Sequence, residues 1–130
     1  MARILVIDDQ KDVRAMICMV LRVNRFEVGE AGGAAAGLKL FEESAFDAAV
    51  VDIFLADGNG FDVIARMRDA VPDLPVVVIS GVASLNAASD ATAASSVVCL
   101  QKPFRPKDLI RAVESAQGLV RQSSVAEAVV

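Results

Sequence analysis

The chain has 130 residues, of which 55% are hydrophobic and 23% are charged, and its formal net charge is −4. This length and composition are typical of a single folded domain and exclude an intrinsically disordered chain. The negative charge argues against a nucleic-acid-binding surface, and the absence of histidine excludes Ser-His-Asp triads and histidine-ligated metals.

Apolar runs alternate along the chain with segments of helical periodicity. Most of the runs are bounded by charged or turn residues, as in strands buried on both faces, and the segments between them place apolar residues three or four positions apart. In chain order the sequence predicts a strand at Ile4–Ile7, a helix at Asp12–Asn24, a strand at Phe26–Ala31, a helix at Ala34–Ser44, a strand at Ala48–Phe54, a helix at Gly60–Ala70, a strand at Pro75–Ser80, a helix at Ala83–Ser96, a strand at Val97–Leu100 and a helix at Lys107–Gln117.

This alternation predicts an α/β fold, because strands joined by right-handed helical crossovers form a parallel sheet with helices on both faces. We expect the domain to occupy residues 1–117, and residues 118–130 to be a C-terminal tail or the start of a linker. Ligands of such sheets bind outside the carboxyl ends of the strands. The residues that follow each strand are therefore the candidates for a functional site.

Polar side chains stand at the ends of four predicted strands. Asp8 and Asp9 follow the first strand, Asp52 lies in the third, Ser80 ends the fourth and Lys102 follows the fifth. Carboxylate oxygens are the ligands that Mg²⁺ prefers, and ammonium and hydroxyl groups bind phosphate oxygens. The sequence thus predicts a site for Mg²⁺ and a phosphoryl group.

Each of these residues also has a simpler explanation when it is taken alone. Asp8 and Asp9 are equally typical of a helix N-cap and its neighbour, and Asp52 of a strand end bonded to loop amides. The joint spacing favours the cation site, since two carboxylates about 4 Å apart repel by roughly 4 kcal/mol at an effective dielectric near 20. A divalent cation would offset that repulsion.

Other features of the sequence point to structural roles. No run of about 18 apolar residues and no signal-peptide pattern is present, so we expect a cytoplasmic protein without a membrane contact. Cys18 and Cys99 lack CxxC spacing, so reduced thiols are expected rather than a disulfide, and Cys18 is interpreted as a core residue. Four charged residues are interpreted as solvated: Asp57, Asp62, Arg66 and Arg68.

Four motifs carry a resemblance to a known family. The stretches ILVIDDQ, VVDIFLADGNGFD, VVVISG and LQKPF occur in the order and spacing of response regulator receiver domains, and the likeness covers Arg3–Gln117. It implies a flavodoxin-like, doubly wound sheet of five parallel strands in the order 2-1-3-4-5, with five helices. It also implies a two-component signalling module in which a sensor histidine kinase phosphorylates an aspartate in a Mg²⁺-dependent reaction.

The resemblance assigns roles to the acids by position. Asp52 resembles the phosphoacceptor, whose carboxylate attacks the phosphoryl group of a phosphohistidine. Asp9 matches a direct Mg²⁺ ligand, Asp8 a ligand acting through water, and the carbonyl of Phe54 the backbone ligand.

It also assigns the groups that contact the phosphoryl group. Ser80 matches the hydroxyl that moves to it on switching, Lys102 matches the lysine that binds it, and Gly81 matches a small residue that leaves space beside it. The Lys102–Pro103 bond matches a cis peptide, which only proline makes at low cost.

Three positions depart from the family pattern. Cys99 stands where many receivers have an aromatic residue or histidine that rotates inward, Ala56 replaces a frequent proline, and residues 94–96 replace an Ala-Gly-Ala turn. The segment 83–96 has Leu85 as its only large apolar residue. We therefore expect phosphorylation to order or shift residues 81–96.

The leading interpretation is a phosphorylation-controlled module rather than an enzyme, although it assists its own phosphorylation and dephosphorylation. Its expected partners are a sensor histidine kinase or phosphotransfer protein, and a downstream protein or a fused effector domain. Binding, or dimerisation, would use the face formed by the helix at 83–96, the strand at 97–100 and the terminal helix. No direct contact with nucleic acid is expected.

The sequence is also compatible with two other functions. One is a Mg²⁺-dependent phosphatase with an aspartyl-phosphate intermediate, similar to haloacid-dehalogenase proteins, but those enzymes place a second acid where this chain has Phe54. The other is a degenerate receiver that only scaffolds proteins. The chain is interpreted either as a stand-alone receiver or as a fragment of a multidomain regulator.

Overall fold

A computed structural model of the chain describes residues 2–81 and 97–129. Within these residues five strands form one sheet: β1 (Arg3–Ile7), β2 (Glu27–Ala31), β3 (Ala48–Asp52), β4 (Val76–Ser80) and β5 (Val97–Gln101). The described helices are α1 (Lys11–Val23), α2 (Ala34–Glu43), α3 (Gly60–Ala70) and α4 (Pro106–Val129). Between β3 and α3, residues Phe54–Leu55 pair antiparallel with Gly58–Asn59 in a short turn that we call the β3–α3 hairpin.

All five strands are parallel, and their order across the sheet is β2-β1-β3-β4-β5. The order 2-1-3-4-5 implied by the resemblance is therefore confirmed. Val51 pairs with Ile7, and Ser80 pairs with Gln101. The carboxyl ends of β1, β3, β4 and β5 consequently lie along one rim of the sheet.

The sheet is covered on both faces. One face carries Leu5, Ile7 and Val51 and packs against α2 and α3. The opposite face carries Ile4 and Val6 and packs against α1 and α4. Successive residues of a strand point to opposite faces, so a strand buried on both sides must be apolar throughout. This requirement explains the uninterrupted apolar runs of β1, β3 and β4.

Two predicted boundaries are wrong. The third strand ends at Asp52 rather than Phe54, because the chain turns there into the β3–α3 hairpin and leaves the Phe54 side chain exposed. The terminal helix continues to Val129 instead of ending at Gln117. The division into a domain at 1–117 and a tail stays a prediction.

One predicted helix, at residues 83–96, lies outside the described residues, and so does most of the segment expected to shift on phosphorylation. The remaining elements agree with their predicted positions to within one or two residues at each end. Among the described residues, no helix combines the length and apolarity needed to cross a bilayer.

Candidate functional site

Three acids meet at the carboxyl rim of the sheet. Asp8 and Asp9 follow β1, and Asp52 ends β3, the strand paired directly with β1. One carboxylate oxygen from each lies within 4.8 Å of the others. Asp8 and Asp52 are buried, whereas Asp9 is partly exposed. We refer to these three residues as the acid cluster.

Lys102 brings a positive charge into the acid cluster from β5. Its Nζ donates hydrogen bonds to Asp52 Oδ2 at 3.0 Å and to Gln10 Oε1 at 2.8 Å, and it lies 3.3 Å from Asp8 Oδ2. The Lys102–Pro103 peptide bond is cis, as the resemblance implies. Burial lowers the pKa of Lys102, but the hydrogen bond to Asp52 and the charges of both acids outweigh burial and raise it. The ammonium group is therefore charged at every physiological pH.

Asp8 is held in an environment that suits a cation. Its Oδ1 accepts a hydrogen bond from the Gln10 amide at 2.8 Å, while its buried Oδ2 receives no hydrogen bond from the described residues. Burial raises the pKa of Asp8, and the charge of Asp52 raises it further. The Lys102 ammonium lies 3.3 Å from Oδ2, but it also donates to Asp52 and Gln10, so it offsets the cost of this buried charge only in part. The position of Oδ2 thus fits a metal ligand.

The helix-cap explanation of the acid pair is not supported by the structure. The residue at the N-cap of α1 is Gln10, whose side chain makes no capping hydrogen bond to the helix. The Gln10 side chain instead accepts from Lys102, and its role in the site was not predicted. Gln10 does belong to the ILVIDDQ motif, but its partner lies 92 positions away along the chain.

Asp52 has both carboxylate oxygens engaged by different groups. Oδ1 accepts from the Phe54 amide at 3.0 Å, and Oδ2 accepts from Lys102. These two donors fix the orientation of the carboxylate at the end of β3.

A cavity of about 330 Å³ opens in front of Asp52. It is lined by Asp9, Gln10, Asp52, Phe54, Gly81 and Lys102. A side-chain carbon built at Gly81 would contact nothing within 4 Å, so the space beside the acid is open there. The cavity is large enough for a phosphoryl group.

Ser80 ends β4 with its side chain buried. Its carbonyl accepts from the Lys102 amide at 2.8 Å, which joins the ends of β4 and β5. The structure therefore places Ser80 at the same rim as Lys102. Its proposed role as a switch hydroxyl stays a prediction.

Gly60 is a second residue that sequence reasoning missed. Its amide donates to the Ile53 carbonyl at 2.8 Å, and a side-chain carbon at this position would lie 2.8 Å from Ile53 Cα and closer still to the Asp52 carbonyl. Only glycine permits α3 to begin so close to the end of β3. The GNG sequence of the loop is the signal that could have indicated it.

The interpretations of surface charges are only partly right. Asp62 and Arg66 are exposed as expected. Arg68 is half-buried and donates to the Leu74 carbonyl through Nη2 at 2.9 Å, so it is not a solvated edge residue. Asp57 is exposed, yet its carboxylate accepts hydrogen bonds from two amides of α2, a role beyond that of a solvated acid.

Cys18 and Cys99 are not joined by a disulfide, in agreement with the expected reduced thiols. Cys18 is buried in α1, as interpreted from the sequence. Burial raises the pKa of its thiol to about 12, with the neighbouring Glu30 contributing, so the thiol is neutral and unreactive. Cys99 is half-buried in β5.

Comparisons with known proteins match the chain to response regulators. A sequence model of the response regulator receiver domain matches residues 4–114. The chain is 33% identical over 122 residues to the alginate biosynthesis transcriptional regulatory protein AlgB of Pseudomonas putida, covering 94% of this chain. It is 27% identical to the response regulator receiver protein CpdR of Brucella abortus, covering 88% of this chain and 95% of that protein.

Solved structures of receiver domains are similar to this fold as well. The fold is similar to that of a CheY-like receiver domain protein from Methanospirillum hungatei, with a TM-score of 0.84 and 26% identity, covering 95% of this chain and 98% of that one. The chain spans about a quarter of the length of the first curated relatives that it matches, 27% in the case of AlgB.

Proposed function

The chain belongs to the response regulator receiver domain family of two-component systems, and from this membership we propose that Asp52 accepts a phosphoryl group from a phosphohistidine. The donor would be a sensor histidine kinase or a phosphotransfer protein. The observation that carries the proposal is the position of Asp52. Its carboxylate faces an open cavity, and Lys102 Nζ contacts it at 3.0 Å.

The charges of the site support a divalent cation. Three carboxylates face a single ammonium group among the described residues, which leaves an excess of two negative charges. We propose that Asp8, Asp9, Asp52 and the carbonyl of Phe54 hold Mg²⁺. When bound, Mg²⁺ would reduce repulsion between the carboxylates and stabilise negative charge on the phosphoryl oxygens.

The transfer itself would form one bond and break one. A carboxylate oxygen of Asp52 attacks phosphorus, the phosphorus–nitrogen bond of the phosphohistidine breaks, and its electron pair returns to the imidazole. Lys102 keeps a positive charge next to the phosphoryl oxygens throughout. The Phe54 amide holds the attacking carboxylate in orientation, because it donates to Asp52 Oδ1 before the donor arrives.

The response to phosphorylation would start at Ser80 and pass to β5. The carbonyl of Ser80 is bonded to the Lys102 amide, so a movement of Ser80 toward a phosphoryl group would be transmitted directly to the end of β5. We propose that the face comprising residues 83–96, β5 and α4 then binds a protein partner, a second copy of the chain or a fused effector domain. With Cys99 in β5, this response would not use an aromatic rotation.

Phosphate incorporation tests the proposal. The wild-type protein, incubated with phosphoramidate and Mg²⁺, is expected to gain one phosphoryl group by intact mass, whereas Asp52→Asn gains none because an amide is not a nucleophile toward phosphorus. Asp62→Asn, an exposed acid of α3, is the matched control and should label as the wild type does. Unchanged labelling of Asp52→Asn would reject the assignment.

The same protein can be tested for phosphatase activity. An enzyme of that class needs a second acid near the nucleophile, and the exposed apolar side chain of Phe54 lies two residues after Asp52. We expect no multiple turnover of p-nitrophenyl phosphate. Release of many equivalents of product by the wild type, and none by Asp52→Asn, would instead favour the phosphatase.

A further inference from the structure

Helix α2 lacks a capping side chain of its own. Its N-cap residue is Gly33, which offers no oxygen to the free amides of the first turn. The cap comes from Asp57 in the β3–α3 hairpin, whose Oδ1 accepts from the Ala34 amide at 2.7 Å and Oδ2 from the Ala35 amide at 3.2 Å. The residues joined by the shorter bond are 23 positions apart.

The backbone at Gly33 leaves room for this contact. A side-chain carbon built at Gly33 would lie 2.7 Å from Asp57 Oδ1, within van der Waals overlap. A residue with a capping side chain at position 33 would therefore displace Asp57. Because Gly33 has no side chain, the Asp57 carboxylate has room to reach the first amides of α2.

The contact is also favourable electrostatically. The N-terminus of a helix carries partial positive charge, and a carboxylate there is stabilised. The hydrogen bonds from the Ala34 and Ala35 amides lower the pKa of Asp57, so the carboxylate is ionised at neutral pH. The cap is thus present at physiological pH.

The hairpin that carries Asp57 also orients the acceptor. The Phe54 amide, in the first strand of the hairpin, donates to Asp52 Oδ1. On the other side of the contact, the end of β2, which leads into α2, is attached to the acid pair, because the Ala31 carbonyl accepts from the Asp8 amide at 3.2 Å. Asp57 therefore closes a chain of contacts between the backbone at Asp8 and the hairpin that holds Asp52.

We propose that Asp57 is a positioning residue for the acid cluster: by tying the β3–α3 hairpin to the N-terminus of α2, it holds the Phe54 amide on Asp52 and presets the cluster for its cation. The cation half of this inference rests on the proposed function. The positioning half concerns the protein without metal or phosphodonor. The two halves are tested by different measurements.

The first measurement is amide hydrogen exchange by NMR on the metal-free protein. In Asp57→Ala the amides of Ala34 and Phe54 are expected to exchange at least about threefold faster, since capping bonds stabilise local structure by such factors. Asp57→Asn, whose amide oxygen can still cap, should keep Phe54 exchange near that of the wild type. Urea unfolding of both variants measures the loss of global stability, and an acceleration at Phe54 larger than that loss accounts for separates positioning from general destabilisation.

The second measurement is the dissociation constant for Mg²⁺, obtained by calorimetry without a phosphodonor. Both variants lose the same negative charge, so a pure charge effect would weaken Mg²⁺ binding equally in the two. We expect Asp57→Ala to bind at least about threefold more weakly than Asp57→Asn, because a cap contributes by about such a factor. Asp62→Ala, the loss of a nearby exposed acid, should resemble Asp57→Asn.

Two results would overturn the inference: unchanged Phe54 exchange in Asp57→Ala, or equal effects of the alanine and asparagine variants on both measurements. Failure of the proposed function would look different. The wild-type protein would then fail to label with phosphoramidate, while the exchange rates at Phe54 would still separate the two Asp57 variants.

Discussion

At the scale of single residues, the acid cluster carries a cost in stability that the proposed cation would offset. Asp8 is fully buried, and one of its oxygens receives no hydrogen bond from the described residues. Sites that must bind a ligand commonly retain such unfavourable groups, because the ligand removes the cost. The metal-free protein should therefore become more stable when Asp8 loses its charge.

Asp8→Asn tests this idea with a defined pH dependence. Burial raises the pKa of Asp8 above its ordinary value of 3.8, so the folded protein binds this proton more tightly than the unfolded chain does. The destabilisation is absent below the unfolded value and develops fully as pH rises through the raised folded value. At neutral pH we expect Asp8→Asn to be more stable than the wild type, with the difference disappearing in acid.

Urea unfolding of the metal-free wild type and Asp8→Asn across a pH series measures this difference. The variant should also bind Mg²⁺ more weakly than the wild type. Its higher stability would then be accompanied by a loss of cation affinity. An Asp8→Asn protein that is less stable than the wild type at every pH would contradict the account.

Strand-end residues could be located from the sequence, but their contacts could not. A parallel sheet brings Asp8, Asp52 and Lys102 to one rim whatever their side chains do. The partners of Gln10 and Asp57 depend on tertiary contacts between residues far apart in the chain. The local sequence around a polar loop residue does not indicate such a bond. The role of Gln10 was therefore missed, and Asp57 was taken for a solvated acid.

At the scale of elements, burial decided which boundaries could be predicted. β1 and β4 are buried on both faces, so their apolar runs end where the strands end. The apolar run after β3 continues past Asp52 into Ile53, Phe54 and Leu55, and the sequence therefore predicted a longer strand. The close packing of Gly60 against the end of β3 forces the turn, and this is not visible from hydrophobicity alone.

The end of α1 offers an element-scale prediction. Arg25 follows the C-cap residue Asn24 and has φ of 70°, in the left-handed region that glycine adopts without steric cost. Its side chain is exposed and makes no hydrogen bond or ion pair described in the structure. We expect Arg25→Gly to raise the free energy of unfolding by about 0.5–1 kcal/mol, after the larger entropy of the unfolded glycine chain is subtracted.

Thermal and urea unfolding of Arg25→Gly measure this effect. Ala15→Gly, an exposed substitution inside α1, is the matched control and should destabilise by about 1 kcal/mol because glycine disfavours a helix interior. If both variants are destabilised, the left-handed conformation of residue 25 carries no cost.

At the scale of the whole molecule, alternation of strands and helices predicted the fold class but not the order of the strands. Right-handed crossovers are compatible with several orders, and the arrangement 2-1-3-4-5 came from the family resemblance. The structure explains why the site needs this order. β1 and β3 are neighbours in it, which places Asp8 directly beside Asp52.

Cation binding should be visible in the stability of the entire domain. A ligand that binds only the folded protein adds RT ln(1 + [L]/Kd), about 1.4 kcal/mol at ten times Kd. We expect the unfolding midpoint of the wild type to rise on addition of millimolar Mg²⁺ and to return on chelation with EDTA. Asp8→Asn should show a smaller rise, and an unchanged midpoint in the wild type would argue against a Mg²⁺ site.

The length of α4 has a geometric consequence. Its 24 residues extend for about 36 Å, whereas a five-residue strand such as β5 covers only about 17 Å. The helix starts near the rim that holds Lys102, and its residues Leu109 and Ala116 pack along the sheet. Its final turns must then project beyond the opposite pole of the domain. The C-terminal end of α4 is therefore far removed from the acid cluster, at the other end of the molecule from the site.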